Sequence, residues 1–203
     1  MTTFKEIRGQ LIKSLSSDPS PATAGDMWYN STSQTLKGVV LSGTWSSGGT
    51  LGTARAQGGS SGSTQNDALF AGGYVAPAGT AATEEYDGSS WTSGGNLNTA
   101  RYRLAGASFA PQTAGLVFGG RTSTDMNETE EYNGTSWSEQ NNLSTARRAL
   151  AGAGIQTSAI AVGGEGPLTV STEEYDGSSW TGGGNYPTAT MGMGSFGATG
   201  TSA

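Results

Sequence analysis

The chain has 203 residues, a net charge of −6, 34 glycines, no cysteine and no histidine. This composition leaves no disulfide framework, no thiolate or imidazole metal site and no histidine base, and the negative charge disfavours long-range attraction to nucleic acid or an anionic membrane. The length has room for one sizeable core, and glycines that recur at fixed offsets predict many short strands joined by tight turns.

Residues 1–25 stand outside the pattern that follows. Phe4, Ile7, Leu11 and Ile12 can share one helical face. They read either as a short strand or helix packed on the domain, or as an attachment arm that docks on a partner. The first 15 residues include acidic Glu6 and lack the long apolar core of a secretory leader, and no apolar run reaches the length of a membrane span. The expectation is a protein made in a cytoplasm, without membrane insertion. Two prolines and small polar residues from Ser16 to Asp26 predict a linker or irregular loop.

From Met27 the pattern turns to strands. MWYN, TLKGVVL and GTWSS read as the end of a unit whose beginning is missing. Three complete units follow. Trp45, Trp91 and Trp137 stand 46 residues apart and Trp180 follows 43 later, while TAR triplets end at Arg55, Arg101 and Arg147. In the middle unit, strands are predicted over Arg103–Ala110, Ala114–Gly120 and Thr129–Tyr132, with a fourth carrying Trp137. The second ends in the pair Gly119-Gly120, where glycine permits a positive φ or a close backbone approach. Asn133-Gly134 is a strong hairpin signal, and small residues in the first strand suit a crowded axis. A repeating unit of this length has the size of a propeller blade.

A glycine pair after an apolar strand, then Tyr, then Trp five residues on, then Arg about ten further, resembles the kelch repeat over roughly Gly43–Ala203. The resemblance implies an all-β fold, a small kelch-like β-propeller of four-stranded antiparallel blades. Residues 26–203 hold about four such units. MGMGSFGATGTSA stands where a first strand belongs and the N-terminal strands supply the other three, so a composite N/C-terminal blade is expected to close the ring.

Phe4–Val39, and most specifically GDMWYNSTSQTLKG, resembles the N-terminal module of marine bacteriophage virion proteins, where similar modules precede kelch-like repeats. That resemblance implies a non-enzymatic virion structural protein of a tail, fibre or other appendage. The arm would contact other virion proteins, and appendage symmetry would make the protein a homo-oligomer. A propeller enzyme acting on bacterial surface glycans and a capsid decoration protein are the alternatives. No cofactor is expected.

The TEEY carboxylates (Glu84 and Glu85, Glu130 and Glu131, Glu173 and Glu174) do not read as catalytic pairs, because neighbouring strand residues face opposite sides. One Glu of each pair is expected to be solvated and the other to pair with a TAR arginine. YDGSSW differs from the sialidase Asp-box, since Asp87 and Asp176 precede their glycines directly. What varies between units is the loop after the glycine pair. Tyr74, Arg121, Asp125 and Glu165 are expected to decorate one surface, because that loop shares a face with the connection between units. The choice there is between surface drift and a shallow site for a host-surface glycan or a neighbouring virion protein.

Overall fold

The computed structural model describes residues 12–20, 26–38, 47–166 and 168–193. The chain divides into two compact units, Met1–Ser47 and Gly48–Ala203. The fold is all-β, with no α-helix among the described residues.

In the first unit β1 (Lys13–Leu15) pairs parallel with β2 (Met27–Asn30), which turns into antiparallel β3 (Thr35–Gly38). Ser16–Ser20 carries no strand, as its composition led one to expect. Asp18 in that loop accepts hydrogen bonds from Trp28 Nε1 at 3.0 Å, Asn30 Nδ2 at 2.7 Å and Lys37 Nζ at 2.7 Å. The contacts from Lys37, Asn30 and Trp28 hold its carboxyl at a pKa of about 2. Phe4, Ile7 and Leu11 lie outside the described residues, and Ile12 is half-buried. The readings of GTWSS, of the C-terminal strand and of closure by a composite blade also fall on residues that are not described.

Among its described residues the second unit contains three four-stranded sheets, each an up-and-down antiparallel meander. The first comprises β4 (Gly59–Thr64), β5 (Asp67–Ala71), β8 (Thr83–Tyr86) and β9 (Trp91–Ser93), and the hairpin β6 (Tyr74–Val75) and β7 (Ala78–Gly79) is inserted between its second and third strands. The second comprises β10 (Ala105–Gly106), β11 (Leu116–Phe118), β12 (Thr129–Tyr132) and β13 (Trp137–Gln140). The third comprises β14 (Ala151–Ile155), β15 (Ser158–Val162), β16 (Thr172–Tyr175) and β17 (Trp180–Gly182).

The first strands pack side by side, with β10 between β4 and β14. A Cβ added at Gly106 would collide with the Ser60 carbonyl oxygen, so a side chain there would force the sheets apart. The strand predicted over Arg103–Ala110 is correspondingly shorter. After Gly106 the carbonyls of Ala107 and Ala110 accept from Ser61 Oγ of the neighbouring sheet, and a 3-10 turn, Gln112–Ala114, leads into β11.

Apolar side chains collect between adjacent sheets. Leu69, Ala71, Val117, Tyr132 and Trp137 form one cluster between the first and second, and Phe118, Leu116, Ala159, Ala161 and Tyr175 form another between the second and third. Tyr and Trp of each TEEY hairpin are cross-strand partners, their ring centroids 4.9–5.1 Å apart. The Tyr132–Trp137 and Tyr175–Trp180 pairs add a large apolar area to cores that also hold Leu69, Leu116 and Phe118.

Periodic polar bonds reinforce these contacts. The TAR arginine pairs with the first Glu of the following TEEY: Arg55 with Glu84 at 2.5 Å, Arg101 with Glu130 at 3.2 Å and Arg147 with Glu173 at 2.8 Å. All three arginine side chains are at most 1% exposed. Burial presses the Arg101 and Arg147 pKa values down, and the facing carboxylates oppose that shift.

In the first two TEEY strands the second Glu corrects the expectation of a solvated residue. Glu85 accepts from Tyr132 Oη and Glu131 accepts from Tyr175 Oη, in each case from the next sheet. Trp137 Nε1 donates to Thr83 Oγ1 and Trp180 Nε1 to Thr129 Oγ1, both at 2.9 Å and both to the preceding sheet. The glycine pair has a similar purpose. The Gly120 amide donates to the Arg147 carbonyl at 2.9 Å, and a Cβ at Gly119 (φ 63°) would stand 2.7 Å from that same oxygen.

Candidate binding face

Each TAR triplet is followed by a residue that pairs with the residue after a glycine pair. Ala56 bridges to Tyr74, Tyr102 to Arg121 and Arg148 to Glu165. These short antiparallel bridges bring the connection between sheets beside the loop that joins the second and third strands of each sheet. Three of the four loop residues singled out by sequence are thereby drawn into one cluster, and Tyr74 stands next to it.

Arg148 links the cluster. Its Nη1 lies 2.6 Å from Asp125 Oδ1, and its Nη2 lies 2.7 Å from Glu165 Oε1. The hydrogen bond that Arg148 donates to Asp125 raises the Arg148 pKa above the ordinary arginine value, with Glu165 adding to the shift. Arg121 approaches Asp125 at 3.5 Å and Arg103 approaches Glu165 at 3.5 Å. Three guanidinium groups thus face two carboxylates, leaving a local surplus of positive charge on an acidic chain. The tight contacts belong to Arg148, and the looser ones to Arg103 and Arg121.

Tyr74 stacks at a tilt on Tyr102, ring centroids 5.1 Å apart, and Tyr102 is the backbone partner of Arg121. Tyr74 is itself exposed. The face therefore presents an aromatic pair beside a charged lattice.

Tyr102, Arg103 and Arg148 were not singled out from sequence. Their signal was positional: each lies one or two residues beyond a TAR triplet, where the units also differ. Gln57, Arg103 and Ala149 occupy one repeat position and share left-handed backbone, with φ of 62°, 56° and 53°. The amide of Arg103 donates to the Gln57 carbonyl, that of Ala149 to Arg103, and that of Gly192 to Ala149, at 2.7–2.8 Å. The backbone at this position forms a chain of hydrogen bonds running from unit to unit. None of the first three residues is glycine, so composition gave no hint of the geometry.

Among the described residues, no cluster of three or more His, Cys, Asp or Glu side chains is placed to hold a metal ion. Compared with known proteins, the sequence matches no family model and no curated protein.

Proposed function

We propose that this chain is a non-enzymatic structural protein of a phage particle, a tail, fibre or appendage component that presents a binding face on a small propeller. The observation that carries the reading is the contrast between frame and loops. The Arg–Glu, Tyr–Glu and Trp–Thr bonds repeat from unit to unit, whereas the bridges at Tyr74, Arg121 and Glu165 gather the residues that differ onto one face. A repeated frame bearing varied loops is the arrangement used by binding surfaces. The resemblance of Phe4–Val39 to phage virion modules supplies the particle, with residues 1–25 as the arm that meets another virion protein.

In this reading the three meanders are blades, and a fourth, composite blade closes the ring. The neighbouring first strands and the amide of Gly192 reaching Ala149 support a fourth unit. The face would contact a host-surface glycan or a neighbouring virion protein.

The test is adsorption of particles carrying Arg121→Ala with Asp125→Ala. Reduced adsorption to host cells, with unchanged amounts of the protein in purified particles, supports the reading. Unchanged adsorption counts against the face as a host contact.

A further inference from the structure

The left-handed residues Gln57, Arg103 and Ala149, together with Gly192, border a cavity of about 440 Å³. That volume lies within the range of small-molecule sites, roughly 300–1,000 Å³. Its lining is chemically mixed: Arg103 and Glu165 carry charge, Gln57 carries an amide, and Leu104, Leu150 and Met191 are apolar. A second cavity of about 240 Å³ shares Gly58, Leu104, Leu150 and Met193 with the first and extends it along the neighbouring first strands.

Among the described residues Arg103 is the cation of this lining, and it is loosely held. Among the described residues its guanidinium meets Glu165 alone, at 3.5 Å, and its side chain is 38% exposed. Glu165 is already held by Arg148 at 2.7 Å, so the Arg103 charge is only partly offset. A guanidinium in this position favours a carboxylate, which it can bind through two parallel hydrogen bonds. Gln57 offers both a donor and an acceptor, and Glu165 accepts from hydroxyl groups. Leu104 and Leu150 offer apolar contact.

We propose that this cavity binds an acidic sugar, with Arg103 taking the carboxylate, Gln57 and Glu165 the hydroxyls, and Leu104 and Leu150 the apolar face of the ring. A simple carboxylate would leave Gln57 and the apolar surface unused, and would bring its charge towards Glu165 with no hydroxyl to offset the repulsion. A neutral sugar would leave the Arg103 charge only partly offset by Glu165. This deepens the proposed binding face by naming a ligand class, and it rests on that reading only for its biological setting.

The test is calorimetric titration of the full chain with glucuronic acid and galacturonic acid, with glucose and acetate in parallel. Saturable binding of either uronic acid, tighter than both glucose and acetate, is expected. Arg103→Gln should weaken it by about tenfold or more, as loss of a charge-assisted pair implies. Gln stands at the equivalent position 57, so this backbone geometry accepts it, and a thermal melt checks that the variant folds. Equal binding of acetate, equal binding of glucose, no binding of either uronic acid, or an affinity indifferent to Arg103→Gln would each overturn the proposal. Because the titration uses purified protein, it can fail while particle association and adsorption behave as proposed, and the reverse also holds.

Discussion

Tyr175 donates its hydroxyl hydrogen bond to Glu131 of the preceding sheet at 3.0 Å, and Tyr132 makes the same bond to Glu85 one unit earlier. Removing the hydroxyl leaves a half-buried carboxylate without its donor. Tyr175→Phe should therefore cost about 1–3 kcal/mol. Urea unfolding followed by tryptophan fluorescence should show a lower midpoint at an unchanged slope. An unshifted midpoint would mean that the bond adds no net stability.

The same bonds predict a dependence on alkaline pH. Burial, and after it the hydrogen bond to Glu85 or Glu131, raises the Tyr132 and Tyr175 phenol pKa values above the ordinary tyrosine range. A raised folded-state pKa gives stability that is complete below the unfolded value of about 10 and is lost as pH rises through the folded values. Urea midpoints should fall above about pH 10, and the fall should be shallower in Tyr175→Phe. Parallel pH curves for the two proteins would contradict this linkage.

The buried Arg147 is expected to matter more. It donates to the Gly163 and Ser171 carbonyls, each at 2.9 Å, and pairs with Glu173. Among the described residues, Arg147→Met would leave the buried Glu173 carboxylate with the Ser144 amide as its remaining donor, at a cost of about 3–5 kcal/mol. Arg147→Lys should recover only part of that loss, because one ammonium group lacks the planar fork that reaches three acceptors. Equal unfolding midpoints for the native chain and Arg147→Lys would contradict the bonding described.

Much of this frame was legible in the sequence because it repeats. The 46-residue spacing exposed the units, and the recurrence of TAR and TEEY made an Arg–Glu pair the natural expectation. The second Glu was harder to place. Its partner tyrosine lies 47 residues downstream of Glu85 and 44 downstream of Glu131, and is already engaged with the Trp of its own hairpin. On the loop face, Arg121, Asp125 and Glu165 stand out because they change between units, but Arg148, which joins them, sits directly after the recurring TAR triplet. The left-handed position has no signature in the sequence, because Gln57, Arg103 and Ala149 are not residues that announce a positive φ.

A test of the turns uses the chain's own variation. Asp87 Oδ1 accepts from the Ser89 and Ser90 amides, both at 2.8 Å, and the Ser90 amide followed by that of Ser89 lowers its pKa to about 2. A lowered carboxylate pKa gives stability that is present above the ordinary value of about 3.9 and is lost as pH falls towards the folded value. Asn133 makes the equivalent bonds, to the Thr135 and Ser136 amides, without a titrating group. Asp87→Asn should keep the turn while losing part of the acid dependence. The native and variant unfolding curves should therefore draw together as pH falls below about 4. A constant separation would show that the Asp87 charge is not linked to folding.

The most direct measurement of the central claim is a cryo-EM map of purified particles, resolved well enough to trace this chain. The expected result is density for residues 1–25 against another virion protein, with Tyr74, Arg121, Asp125 and Glu165 on an outward face. Absence of the chain from purified particles, with recovery of the protein as a free monomer, would contradict it.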